Sequence, residues 1–195
     1  MREPRRRLDP ADRRRELLQA AERLLRRRAD GVRVEDVVAE AGAAKGTFYL
    51  YFPTWDDLLE ALRDELFARF EALAPEPVEL DGPVDWPATL RRIAAAYIRF
   101  NLEMEGLHDA LFHSDFARNR PVPVHRGGPA RLAAMISAGQ EAGVFAPVPA
   151  GLTARMLFAA MHEAADAVRE GADRLAVTLA LDALLHRALT PEIDP

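Results

Sequence analysis

The chain has no cysteine. Disulfides, thiolate nucleophiles and cysteine-based zinc sites are therefore excluded, and a reducing compartment suits such a sequence. No apolar stretch reaches the ~18 residues that a membrane-spanning helix needs. The opening MREPRRRLDPADRRR lacks the apolar core of a secretory leader. A cytoplasmic protein with no membrane partner is the expectation. Glycine-rich phosphate loops, a Gly-x-Ser-x-Gly elbow and histidine–carboxylate runs at ligand spacing are all missing, so neither an enzyme nor a metal or other cofactor is expected. Lysine is nearly absent as well: Lys45 stands alone beside 25 arginines.

What is present is helical. At 195 residues, 49% of them hydrophobic and 29% charged, the chain is long and apolar enough to bury a real core. Alanine, leucine, arginine and glutamate dominate, and all favour helices. The net charge of −5 divides unevenly, with +4 over residues 1–52 and −9 over residues 53–195. A basic head on an acidic body is what a polyanion-binding head would look like, and equally what a solvated arginine-rich helix would look like.

No period-two pattern runs along the chain. Asp9-Pro10 opens a first helix striped with Leu17, Leu18, Ala21, Leu24 and Leu25, and Asp30-Gly31 closes it. Short helices follow at 35–41 and 45–51, the first closed by Gly42 and the second stopped by Pro53. Thr54 with Asp57 reads as a capping box for a helix carrying Leu58, Leu59, Leu62 and Leu66. The stretch PEPVELDGP, 75–83, can only be a loop. Asp85 can cap a helix running to about 105, and a shorter one spans 107–118. Beyond a second loop at 119–129, helices at 130–142, 150–170 and 172–189 complete an all-α chain of about nine helices. The expected division is a helix-turn-helix head, 1–54, and a helical-bundle body, 55–195.

The lone lysine heads AGAAKGTFYLYF, residues 41–52. Two short helices joined by a glycine turn, behind a longer amphipathic one, match the helix-turn-helix unit. At ~100° per residue, Phe48, Tyr51 and Phe52 share one side of the second short helix and would pack on Leu17, Leu24, Val37 and Val38. Gly46, Thr47, Tyr49 and Leu50 lie opposite, with Lys45 on the rim. Such a face suits a major groove: Gly46 permits close approach, Thr47 and Leu50 can meet base edges, and Tyr49 and Lys45 can reach phosphates. The alternative is a small aromatic core with an idle outer face.

The segment AGAAKGTFYLYFPTWDDLL, residues 41–59, closely resembles the signature of the TetR family of repressors. In that signature Ala-Gly-x-Ser-Lys-Gly-Thr-hydrophobic-Tyr-x-Tyr/His-Phe precedes a Lys-x-x-Leu helix. The likeness extends upstream through GVRVEDVVAEAG and covers about residues 10–72. It implies a three-helix DNA-binding head, a homodimer, a palindromic double-stranded DNA operator and a repressor released by a small-molecule effector. The expected DNA-contacting set is Lys45, Gly46, Thr47, Tyr49, Leu50, Tyr51 and Thr54, with Arg33 and the N-terminal Arg5, Arg6 and Arg7. The chain departs from the family at four places. Val34 and Ala44 stand where serine or threonine caps are usual, Leu50 where a histidine or tyrosine is common, and Trp55 where a lysine contacts phosphate. Flexible arginines at 5, 6, 7, 13 and 14 are the expected compensation.

In the body, Asn101 interrupts an apolar stripe of Leu90, Ile93, Ala94, Tyr97 and Met104, and a buried amide must find a partner. GLHDALFHSDF, 106–116, interleaves histidine with phenylalanine. Tyr97, Asn101, Met104, His108, Phe112, Phe116, Phe158, Met161 and His162 form the candidate pocket for a small, largely apolar effector. His108 and His113 are five apart, not the i, i+4 spacing of helical metal pairs. The last helix is apolar around most of its girth, so it should be buried on two sides. Leu157, Ala160, Ala164, Leu181, Leu184 and Leu185 are the candidate dimer contacts, since the resemblance places the last two helices in a four-helix interface. The competing reading is a helical small-molecule sensor or adaptor that has lost specific DNA binding.

Overall fold

The computed structural model describes residues 9–28, 31–73, 84–104, 106–122 and 127–190. Arg5, Arg6, Arg7 and the loop expected at 75–83 lie outside them. Every regular element among the described residues is helical: α1 (Pro10–Arg27), α2 (Val34–Glu40), α3 (Lys45–Tyr51), α4 (Trp55–Leu73), α5 (Trp86–Leu102), α6 (Gly106–His108), α7 (Asp115–Asn119), α8 (Gly127–Glu141), α9 (Ala150–Arg169) and α10 (Arg174–Leu189). The chain is all-α, as its periodicities and its signature lead one to expect.

Local chemistry sets the ends of these helices. The Asp9 carboxylate accepts from the Ala11 amide at 2.9 Å, with Pro10 in the first turn where no amide is needed. Asp85 and Asp173 cap α5 and α10 in the same way, each accepting from an amide three residues on at 2.8 Å. The α4 capping box is complete. Thr54 Oγ1 accepts the Asp57 amide at 3.1 Å, and the Asp57 carboxylate accepts the Thr54 amide at 2.9 Å. Helix α2 ends in a Schellman turn: Ala43 donates to Val38 and Gly42 to Ala39, with Gly42 at φ +60°. Only glycine adopts that conformation without strain.

Several boundaries differ from the sequence expectation, among them α8, which begins at Gly127 inside the loop expected at 119–129. Helix α5 ends at Leu102 rather than at about 105, with Glu103 as its C-cap, whose amide makes the last helical bond to the Arg99 carbonyl at 3.2 Å. The single helix expected over 107–118 is broken into α6, a π turn (Asp109–His113) and α7. Ser114 Oγ donates to the Ala110 carbonyl at 2.7 Å, occupying the acceptor that a continuing helix would use.

Compactness divides the chain differently from a head at 1–54 and a body at 55–195. The first unit is Met1–Glu65 together with Met104–Pro121, and the second is Leu66–Glu103 together with Val122–Pro195. In the first, α1 packs on α2 and α6, and α2 on α3. Leu17, Leu18, Val37, Phe48, Leu58, Leu62, Leu107 and Leu111 are fully enclosed. Helix α7 is tied to the first half of α4. The Arg120 guanidinium sits 2.9 Å from Asp57 and 2.6 Å from Glu60, while Arg63 donates to the Arg120 carbonyl at 2.6 Å and lies over the Phe116 ring at 4.8 Å. In the second unit α9 is central, packed against α5, α8 and α10.

Candidate nucleic-acid interface

The Schellman turn aims α3 away from α2, and its own sequence then divides it into two faces. Phe48 and Phe52 point inward and are buried, their rings 5.6 Å apart. Arg14 lies 5.2 Å over the Phe52 ring. Tyr51 is half-buried, as is Leu24 on α1, so both sit at the edge of this core rather than inside it. The outward face carries Lys45, Gly46, Tyr49 and Leu50, with Thr47 half-buried beside them. Leu50 is 81% exposed, the most open large apolar side chain among the described residues. A Cβ added at Gly46 would meet nothing within 4 Å. The protein's own packing therefore does not demand glycine there.

The charges on this surface come in pairs. Lys45 Nζ lies 2.5 Å from Glu35, Arg28 2.8 Å from Asp36 and Arg23 2.9 Å from Glu40, so each acid of α2 holds one cation of the head. The Glu35 carboxylate is held below its ordinary range chiefly by the hydrogen bond from Lys45, and the lysine is raised by the same bond. Glu35 was not legible as the lysine's partner, because it lies ten residues away across a turn. Arg33 is exposed and serves as the residue before α2, where its amide donates to Asp36 at 3.0 Å. The cap position of α2 is thus Arg33 rather than Val34, and Asp36 supplies only the return half of a capping box by accepting the Arg33 amide; Ala44 before α3 makes no side-chain cap bond. Thr54 is exposed with its hydroxyl in the α4 capping box, and Trp55 is the first residue of that helix. Arg13 and Arg14 belong to α1, not to a flexible arm, and Arg13 is bonded to Glu16 at 2.6 Å.

The second unit encloses an apolar pocket of ≈ 20 Å³ lined by Phe70, Ile93, Tyr97, Gly128, Arg131, Leu132, Met135, Phe158 and Met161. Of the candidate effector residues, Tyr97, Phe158 and Met161 line it. His162 reaches it through the Tyr97 hydroxyl, 2.8 Å from Nδ1. Asn101 is buried one turn from Tyr97 and donates to its carbonyl at 2.8 Å. Met104, His108, Phe112 and Phe116 belong to the first unit and do not line this pocket. Burial raises the Tyr97 phenol well above its ordinary range, so it stays protonated.

The candidate dimer residues are mostly inside. Leu157, Ala164, Leu181 and Leu185 are buried within the chain itself and Ala160 is half-buried, while Leu184 is exposed. The large apolar side chains that α9 and α10 do expose are Leu152, Met156, Leu175, Leu179 and Leu184. Sequence reasoning missed four of these five. No helix among the described residues is long and apolar enough to cross a membrane.

Comparison with known proteins agrees with the signature. Residues 17–62 match the model of the bacterial regulatory proteins of the tetR family. No curated protein matches the sequence significantly. Among solved structures, a tetR family transcription regulator from Shewanella sp. PV-4 aligns at TM-score 0.71 and 22% identity, over 92% of this chain and 99% of that one. A TetR family transcriptional regulator from Vibrio parahaemolyticus aligns at 0.64 and 26%, over 93% and 100%. RolR, solved in complex with resorcinol, aligns at 0.69 and 22%, over 94% and 90%. Residues 17–62 thus carry the N-terminal signature of the tetR family of bacterial regulatory proteins, and the chain as a whole has the all-α fold of the solved regulators it resembles.

Proposed function

We propose that the protein is a homodimeric, ligand-responsive transcriptional repressor of the cytoplasm, a binding protein rather than an enzyme. Each subunit lays α3 in a major groove, so the operator is near-palindromic with half-site centres about 34–36 Å apart or a multiple of that. Gly46 carries this reading. It sits in a helix, where glycine is costly, at a place where the protein itself leaves room for a side chain. Close approach from outside accounts for it, and the bare Leu50 and Tyr49 beside it offer the methyl and ring contacts of a groove reader. The effector is a small, largely apolar molecule held by the pocket of the second unit. By binding better to a form that cannot grip both half-sites, it releases DNA by mass action.

Gly46→Ala tests the reading in one substitution. It should leave the protein as stable as before or more so, by up to about 1 kcal/mol, yet weaken binding in mobility shifts on random palindromic duplexes at low salt. The double change Lys45→Ala, Tyr49→Ala should abolish binding with helicity intact. Wild-type protein that shifts no duplex at about 50 mM salt would overturn the reading. The competing sensor or adaptor without DNA binding draws on one observation, that the lone lysine is already paired with Glu35. A steep fall of affinity with salt discriminates against it.

A further inference from the structure

The pocket of the second unit is almost filled by its own wall. The Phe158 ring rests against the backbone of Gly128, so closely that a Cβ there would lie 2.2 Å from Cε2. It stands edge-on to Tyr97, 5.0 Å between centroids, and 6.3 Å from Phe67. The space left over, ≈ 20 Å³, is about what one water occupies. A larger ligand can enter this pocket only where a side chain leaves, and Phe158 is the ring seated on a residue without a side chain.

Next to these rings is a polar end with one unmet need. Tyr97 Oη and His162 Nδ1 satisfy each other at 2.8 Å. Asn101 Nδ2 donates to the Tyr97 carbonyl, which requires the amide in this orientation and not its reverse. Its Oδ1 is then a buried acceptor with no hydrogen bond, on a residue 1% exposed. Such an acceptor is a standing cost that a donor would remove.

We propose that Phe158 occupies the place of the effector, and that the effector is a single-ring phenol. Its ring replaces the Phe158 ring against Tyr97 and Met161, and its hydroxyl donates to Asn101 Oδ1. The proposal rests on reading this pocket as the effector site and adds the chemical class. Aromatic walls select the ring, and the orphan oxygen selects a donor over a plain hydrocarbon.

The test compares phenol with toluene, which differ by a hydroxyl against a methyl, in calorimetric titrations of the full chain. Phenol should bind about tenfold or more tightly than toluene. Phe158→Ala should strengthen phenol binding and keep that preference. Asn101→Leu should erase the preference while toluene still binds, and Asn101→Ala, which removes the same oxygen with a smaller side chain, serves as a second variant should Asn101→Leu not fold. Equal affinities in the wild type, or no phenol bound by either wild type or Phe158→Ala, would overturn the proposal. Phenol bound with the expected preference but without release of DNA would leave this assignment standing and count against the repressor reading. Release of DNA by a ligand lacking any donor, with phenol inert, would do the reverse.

Discussion

Lys45 shows how much a single side chain can be read, and how little of its company. A helical wheel puts it on the rim of the outward face and Phe48 on the inner one, because spacing within seven residues fixes direction. That its charge meets Glu35 could not be read, since the pairing depends on how the Gly42 turn orients α3 against α2. The pairing leads to a prediction. If Lys45 meets a phosphate as proposed, it must give up Glu35 to do so, and Glu35→Gln should then tighten binding at low salt. The slope of log affinity against log salt should steepen by about 0.9 if one further phosphate contact forms. Fluorescence anisotropy over a salt series measures both, and an unchanged slope would remove Lys45 from the phosphate contacts. Asn101 was legible as an oddity in an apolar stripe; that its oxygen lacks a donor was not.

Among elements, the helix ends were the most legible feature, and the caps at Asp9, Thr54 and Asp85 show why. Each is a polar side chain within three residues of the amide it serves, so the interaction is local and sequence alone contains it. Asp173 caps α10 in the same way but lies inside the helix expected at 172–189. The π turn and the break at Ser114 depend on a back-bonded hydroxyl for which no short-range pattern speaks. Helix α10 fails for a different reason. Its apolar residues ring the whole circumference, so periodicity carries no phase, and Leu181 and Leu185 were assigned outward when they face in. The α4 cap gives a pH prediction. The Asp57 carboxyl is held below its ordinary value first by the Thr54 hydroxyl and then by Arg120. A depressed folded-state value means stability that is present above the unfolded value, about 4, and lost as pH falls through the folded one. Asp57→Asn should therefore melt lower than wild type at pH 7 and converge with it in strong acid, by circular dichroism. Thr54→Ala should cost about 0.5–2 kcal/mol at neutral pH.

For the whole molecule, composition and periodicity were enough for an all-helical chain, and the signature was enough for the family that its residues 17–62 match. The division into units was not legible. It depends on contacts between residues 57–63 and 116–120, which no local pattern announces. The proposed dimer is testable against the corrected faces. Leu179, 60% exposed, and Met156, 65% exposed, belong to the open apolar surface, whereas Leu185 is 1% exposed. Leu179→Glu with Met156→Glu should give a well-folded monomer by light scattering, with much weaker DNA binding because two half-sites are no longer engaged together. Leu185→Ala should instead cost about 2–5 kcal/mol of stability. A folded dimer from the first variant would move the interface elsewhere.

The Arg120 clamp has a consequence for the order in which the protein is made. Arg63 finds its carbonyl partner and its aromatic cover some 57 positions downstream, on a helix that leaves the ribosome only after all of α5 has been translated. The first unit thus lacks this clamp when its own signature has just emerged. That clamp is completed only by a piece encoded far to the 3′ side, and a message truncated just after α4 would yield a head without it.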